Sequence, residues 1–371
     1  MVPLIIVILL FFSYAILIIY YWKNWRSIPE FVPSHSKRKT RISVIIPARN
    51  EETAIPLLLQ NLKQQSYPKD FFEIIVIDDQ STDKTAEIVK EFKEIELIQL
   101  QEDNINSYKK KAIETGIAAS KNEWIVCTDA DCLPPTEWLD TIAAFIEKQN
   151  SMFIAAPVMY SNDNSLLQVF QSLDFLVLQG ITAVSVYKNS LTMCNGANLA
   201  YERKIFEEVN GFSGIDTIAS GDDMLLMYKI WKKYPHSVHY LKSRSAIVLT
   251  EPAKTWKEFF NQRIRWASKA LYYDDKRIFP VLLLVYLFNL LFLTLLIAGF
   301  WNYYYWLYFA GLWILKTIIE LPFVTVVASF YSKRSLMKYF FFLQPLHIFY
   351  TIISGFLGQF GKYEWKGRKV R

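Results

Sequence analysis

Apolar positions along this chain fall into two kinds of pattern. At both ends they form long uncharged runs: Val2–Trp22 and Val281–Phe300 each supply the roughly 20 residues a membrane-crossing helix needs. Tyr303–Phe330 and Tyr339–Phe360 repeat the pattern with interruptions, Lys316 and Glu320 in the first and Pro345 and His347 in the second. Between these ends, short β-branched runs alternate with helical stretches. Ile42–Ile46, Glu73–Ile77, Glu96–Leu100 and Glu123–Thr128 read as strands, with Glu52–Gln64, Lys84–Phe92 and Ser107–Ala119 as the helices between them. Such βαβ alternation predicts a parallel sheet covered by helices on both faces, with ligands collecting beyond the carboxyl ends of the strands.

One middle segment stands apart. Leu166–Tyr187 is nearly apolar enough to cross a membrane, yet Gln168, Gln171, Asp174 and Gln179 would then sit in hydrocarbon at high cost. A helix lying at the membrane surface accounts for them better, with a buried core helix as the plain alternative.

Composition agrees with a membrane protein: the 371 residues are 52% apolar and 16% aromatic, high for a purely soluble chain. Val2–Trp22 lacks the basic start and the small-x-small site of a cleaved signal peptide, so it is expected to stay as an anchor. Lys23, Arg26, Lys37, Arg38, Lys39 and Arg41 follow it, and positive charge beside a span marks the cytoplasmic side. The middle of the chain, including the loop Asp103–Ser107, is therefore expected in the cytoplasm, and the whole in a bacterial inner membrane. Three further crossings would leave Lys362–Arg371 outside, against its basic character; either Tyr339–Phe360 is re-entrant or interfacial, or the charge bias is overridden. The formal charge of +6 lies largely beside apolar segments, where it suits anionic headgroups and implies no nucleic acid. Cys127, Cys132 and Cys194 have no zinc spacing with His236 or His239 and read as packing residues.

Three acidic motifs carry candidate chemistry. Asp129 and Asp131 follow the apolar run Trp124–Cys127 where the strand opens into a loop, so both carboxylates can approach one hard cation, Mg2+ or Mn2+, which would share itself with substrate phosphates. An EF-hand would need Gly and Glu where Pro134 and Asp140 stand. Asp78-Asp79 ends the strand Ile74–Ile77; a cap at Ser81 to Asp83 explains the turn after it but not two adjacent acids, which a ribose and base could use. Gly221-Asp222-Asp223 precedes a helical run and reads either as an N-cap or as a carboxylate base. Within the helical stretch Thr255–Tyr272, Gln262, Arg265 and Trp266 share one face, fit to clamp a diphosphate and stack on a sugar, or simply to anchor in headgroups. The run Lys109, Lys110, Lys111 is ordinarily a solvated face, here within reach of phosphate. Dinucleotide-binding and P-loop glycine strings are absent.

Read in order, Val44–Glu52, Asp78-Asp79, Asp129-Ala130-Asp131, Asn195-Gly196-Ala197-Asn198, Gly221-Asp222-Asp223 and Gln262–Trp266 resemble the signature of the membrane-bound family 2 inverting glycosyltransferases. The resemblance implies an α/β, Rossmann-like GT-A domain over residues 41–272, an N-terminal anchor at 1–22 and C-terminal transmembrane helices over 280–361. It implies a nucleotide-sugar donor, here taken as a UDP-sugar, and a divalent cation. Pro47, Asn50, Glu51, Asp78 and Asp79 would line the nucleotide pocket, Lys109 or Lys110 would meet the diphosphate, Asp129 the ribose or sugar and Asp131 the metal, with Asp129 as a further ligand. Asn195, Gly196 and Asn198 would lie on the acceptor side, with Gln262, Arg265 and Trp266 over donor and acceptor. The catalytic base would be Asp223, with Asp222 as the alternative. The motif set is similar both to ceramide glucosyltransferase-like enzymes and to processive polysaccharide synthases; the small number of spans favours one transfer to a membrane lipid, with glycan synthesis second. A non-catalytic binding or transport scaffold would have no need of the paired acids.

Overall fold

The computed structural model describes residues 2–34, 38–101, 107–190, 193–216, 218, 221–268, 277–360, 363–365 and 368–370. Most of the loop Asp103–Ser107, the end of the stretch Thr255–Tyr272, Lys37 and part of Lys362–Arg371 lie outside the described residues. In chain order the elements are α1 (Val2–Ser27), β1 (Ile42–Ala48), α2 (Ile55–Lys63), β2 (Phe72–Asp78), α3 (Thr85–Lys90), β3 (Glu96–Gln99), α4 (Tyr108–Ala119) and β4 (Trp124–Cys127). Then come α5 (Trp138–Lys148), β5 (Phe153–Ala155), β6 (Val158–Tyr160), α6 (Leu166–Tyr187), β7 (Leu199–Glu202), α7 (Arg203–Glu208), α8 (Met224–Lys233), β8 (Val238–Tyr240) and β9 (Val248–Thr250). The chain continues through α9 (Trp256–Ser268), α10 (Ile278–Ala298), α11 (Tyr304–Phe330) and α12 (Met337–Leu357).

These elements form two compact units. One joins residues 1–28, 162–184 and 252–363; the other comprises 29–161, 185–251 and 364–371. Thus α6 and α9, which the sequence reading assigned to the middle domain, pack with the long apolar helices instead.

The second unit is built on a seven-stranded sheet in the order β3-β2-β1-β4-β7-β5-β8. Its β4 is entirely apolar, β1 is apolar in its buried positions apart from Ser43, which donates to Glu73 at 2.6 Å, and β1 pairs in parallel with both β2 and β4, as the βαβ pattern predicts. Gly116 lets α4 close onto these strands: a Cβ there would lie 2.6 Å from Ile77 and 2.8 Å from Ile45. The four strands that the βαβ pattern covers pair in parallel as expected, whereas β7, which lies beyond that pattern, runs antiparallel to β4 and β5. This reversal pairs Cys127 with Leu199. The segment Asn195–Asn198 therefore arrives at the same edge at which β1, β2 and β4 end.

In the first unit, α1, α6, α10, α11 and α12 are each long and apolar enough to cross a membrane. Helices α1 and α11 run side by side in the same direction, with Trp25 against Phe330, Tyr21 against Phe323 and Tyr14 hydrogen-bonded to Glu320. From Trp25 to Tyr14, or Phe330 to Glu320, is about 15 Å at the helical rise. At that depth Lys316 meets Glu320 at 2.7 Å and Gln344 at 2.6 Å. Helix α12 begins beside the end of α11 and carries Pro345 within it. Its far end closes on α10 and α9: a Cβ on Gly355 would lie 2.9 Å from Tyr286, and one on Gly358 2.7 Å from Ala267. Helix α6 is largely buried, and Gly180 brings it against Phe323 and Val327 of α11.

Candidate active site

At the carboxyl edge of the sheet, two loops are sewn together. The loop after β1 gives its Asn50 amide to Ser81 (2.9 Å), its Glu51 amide to the Thr85 hydroxyl (2.8 Å) and its Glu52 amide to Asp83 (3.1 Å). The loop after β2 answers with the Thr82 amide to Asn50 (2.8 Å) and the Lys84 amide to Glu52 (3.1 Å). Burial works against the Asp83 carboxylate, but hydrogen bonds from Thr85 and Glu52 outweigh it and hold its pKa below the usual range. The adjacent acids are both buried: Asp78 accepts from the Ser81 amide (3.2 Å), and Asp79 faces the Arg49 guanidinium at 4.0 Å. Arg49 in turn binds the carbonyls of Asp79 and Gln80. Pro47, the last residue but one of β1, is half-buried.

Beyond β4 the charges converge. Lys109 of α4 reaches Asp129 at 2.6 Å and Asp222 at 3.2 Å. Burial alone would depress the Lys109 ammonium, but Asp129, Asp222 and Asp223 outweigh it and hold its pKa well above the ordinary lysine value. Gly196 is pressed against this ion pair: a Cβ there would sit 3.1 Å from the Asp222 carboxylate and 3.2 Å from the Lys109 ammonium. Its amide donates to Asp223 at 3.3 Å, while the other Asp223 oxygen caps α8 through the Met224 amide at 2.7 Å. The preceding Gly221 has φ +85°, a left-handed conformation that suits glycine. Asp131 is half-buried on the loop after β4 and accepts from the Cys132 thiol. Burial pushes the nearby Cys127 thiol up to about 12, so it is no nucleophile at neutral pH.

Two expected site residues have other work. Lys110, next to Lys109, is turned inward and gives its ammonium to the carbonyls of Ile215 (2.5 Å) and Ile218 (2.6 Å). Asn198 is wholly buried, accepting from the Trp138 indole (3.0 Å) and donating to the carbonyls of Pro157 and Ala246 (2.8 Å each). It ties α5 and the β5–β6 connection to the start of β7, leaving Asn195, half-buried and bonded to the Ala197 amide, nearer the opening.

Gln262, Arg265 and Trp266 belong to the other unit, on α9, and all three are half-buried. Between them stands a residue the sequence reading passed over: Arg263, buried against Phe259 and Trp266 and bonded to Gln262 at 2.8 Å. Its signal was available in the spacing, since Arg263 lies at i+4 from the apolar Phe259 and so on the buried face.

Among the described residues no three His, Cys, Asp or Glu side chains gather closely enough to hold a metal ion by themselves. Asp129 and Asp131 still fit a hard divalent cation of the Mg2+ class, which takes one or two carboxylates and fills its shell with phosphate oxygens and water.

A family model for glycosyl transferase family 2 matches residues 43–209. The probable glycosyltransferase YdaM of Bacillus subtilis is 28% identical over 249 residues, covering 65% of this chain and 58% of that protein. Poly-beta-1,6-N-acetyl-D-glucosamine synthase of Staphylococcus epidermidis is 26% identical over 244 residues, covering 64% of this chain and 56% of that one. The chain thus spans rather more than half the length of both. Among solved structures, the mannosyltransferase PcManGT of Pyrobaculum calidifontis, in complex with GDP-Man and Mn2+, covers 95% of this chain and 97% of its own at a TM-score of 0.55 and 20% identity, a likeness of fold.

Proposed function

Because this chain belongs to the glycosyl transferase family 2 enzymes, we propose that it moves a sugar from a nucleotide-sugar donor, a UDP-sugar in the first instance, to a membrane-lipid acceptor with inversion at the anomeric carbon. The observation that carries this reading is the convergence of Lys109, Asp129, Asp222, Asp223 and Gly196 at the carboxyl edge of the sheet, beside the paired loops at Asn50 and Asp79. Asp79, Asn50, Glu51 and Pro47 would seat the nucleotide. Lys109 would exchange a carboxylate for the diphosphate, a charge-assisted contact that suits a phosphate oxygen.

Asp131, with Asp129, would hold the divalent cation, which when bound neutralises charge on the departing diphosphate. Asp223 is the general base in this reading and Asp222 its alternative; the Gly196 amide on Asp223 supports the choice by joining that carboxylate to the Asn195–Gly196 segment. A base so held takes the proton from the acceptor hydroxyl as it attacks. Gln262, Arg265 and Trp266 would contribute polar and stacking contacts to donor and acceptor.

In the same reading α1, α10 and α11 cross the membrane, with Lys23, Arg26, Lys333 and Arg334 on the cytoplasmic side. Helix α12 runs unbroken past Gln344, beside Lys316 and Glu320, to end against α9 and α10; in this reading it is the re-entrant or interfacial segment, and the basic tail stays inside. The similarity to a polysaccharide synthase supports glycan polymerisation as the second reading.

The test is purified full-length protein in nanodiscs, offered UDP- and GDP-sugars with a membrane lipid extract. Single-sugar lipid product and loss of turnover in EDTA and in Asp131→Asn are expected. Long glycan product would favour the second reading, turnover undiminished by chelator would remove the metal assignment, and no release from any donor would sink the reading as a whole.

A further inference from the structure

The polar residues of α6 that make it a poor membrane span all face partners within its own unit. Gln171 exchanges two hydrogen bonds of 2.9 Å with the backbone of Ala253, at the entry to α9. One turn on, Asp174 accepts through one carboxylate oxygen from Arg263 Nε of α9 at 2.9 Å, and that oxygen lies 2.7 Å from Nη2 in an ion-pair contact. Its other oxygen accepts from the Tyr350 hydroxyl of α12, with His347 Nε2 at 3.8 Å. Asp174 and Arg263 are 3% and 4% exposed, so each is a full charge withdrawn from water. Such a pair persists when its geometry is good and its remaining hydrogen-bonding capacity is filled.

The fork of the guanidinium divides the work. With Nε and Nη2 on Asp174, Nη1 remains for the Gln262 carbonyl oxygen at 2.8 Å, and the plane lies 4.3 Å from the Trp266 ring centroid. An ammonium has no planar fork and could not hold the carboxylate, the amide and the ring together. Gln262 and Trp266 are thereby oriented by a residue that stands between them in sequence, itself anchored by a residue almost ninety positions earlier.

We propose that Asp174 is a positioning residue of the transfer reaction: acting through Arg263, it fixes the orientation of Gln262 and Trp266 on α9. The proposal rests on the reading of those two side chains as substrate contacts. It assigns Asp174 no contact with substrate.

The experiment uses full-length protein in nanodiscs, labelled with 5-fluorotryptophan, the Trp266 line being assigned by Trp266→Phe. Asp174→Asn and Arg263→Lys are each expected to shift or broaden that line and to lower kcat on the order of 10²-fold, the size of loss a small misplacement of reacting groups produces. Nucleotide affinity should change less than about 2-fold, since the nucleotide contacts lie in the other unit, and a general loss of fold would not spare it. Asp174→Asn added to Gln262→Ala should cost less than the product of the two separate losses, because part of the Asp174 effect runs through Gln262 and the rest through Trp266. Tyr350→Phe, a milder change, should give a smaller shift of the same line and a few-fold lower kcat. An unmoved Trp266 line in folded Asp174→Asn, or losses that multiply in the double variant, would overturn the proposal. If the wild type transfers no sugar at all, the functional reading falls alone, and the fluorine spectra still decide whether Asp174 sets Trp266.

Discussion

Two neighbouring lysines should fail in opposite ways. Lys110 is 2% exposed and its ammonium bonds two backbone carbonyls, those of Ile215 and Ile218. Net hydrogen bonds to a charged group are worth about 1.5–3 kcal/mol each. Taking the lower figure for both, Lys110→Met should cost about 3 kcal/mol, which for a unit of roughly 200 residues is a fall in Tm of about 6–12 °C. Below that temperature its nucleotide affinity should be near normal. Lys109→Met should instead lose a phosphate contact of similar strength, about 10–100-fold in nucleotide Kd, with a smaller stability loss because the Lys109 ion pairs are half-exposed. Asp129, Asp222 and Asp223 raise the Lys109 pKa. The ion pairs' contribution is therefore complete below about pH 10, the ordinary lysine value, and fades only as pH rises through the higher folded value. The stability gap between wild type and Lys109→Met should accordingly be flat from neutrality to about pH 10. Differential scanning fluorimetry and calorimetric titration with UDP and GDP measure both arms. A Lys110→Met protein that melts with wild type, or a Lys109→Met protein that binds nucleotide as tightly, would refute the division of labour.

Other outcomes follow from the same geometry. Asp223→Asn should bind donor normally and lose transfer by about 10²–10⁴-fold; if Asp222→Asn alone is dead, the base is its neighbour, and if both work, Gly221–Asp223 is a helix cap. Gly196→Ala should push Asp222 and Lys109 apart by a few tenths of an ångström and lower donor affinity, whereas Gly214→Ala, where a side chain would meet open space, should leave affinity alone and register at most as backbone strain in the melt. Cys127 should resist iodoacetamide at pH 8 and react once the protein is unfolded. Asp83→Ala should cost about 1 kcal/mol at neutral pH, as lost caps do; since the folded pKa is depressed, that gap should close as pH falls through it, which acid melts would measure.

Much of this was legible in the residues. The β-branched runs of β1, β2 and β4 alternate with helices in the βαβ manner, and acids at their ends announce the ligand edge. What lay hidden depended on chain direction and on single rotamers. Nothing in Leu199–Glu202 distinguishes an antiparallel strand from a parallel one, yet that reversal delivers Gly196 to Asp222. Nothing in a run of three lysines tells Lys109 from Lys110, because helical rotation about α4 decides which faces the site and which the core. Asn198 looked like a substrate contact because an amide serves equally well to satisfy buried carbonyls. Asp174 looked only costly because its partner lies on another helix.

The stitched loops at Asn50 and Ser81 have a kinetic consequence. Asn50 and Gln80 both hold left-handed backbone, φ 52° each, a conformation that costs energy unless its surroundings enforce it. Five amides cross between the loops or onto each other's side chains, so neither loop can open while the other stays closed. The amides of Asn50, Glu51, Glu52, Thr82 and Lys84 should therefore exchange with deuterium as one cooperative group. An incoming nucleotide meets a floor already formed, and its association should be limited by encounter rather than by the folding of a loop around it.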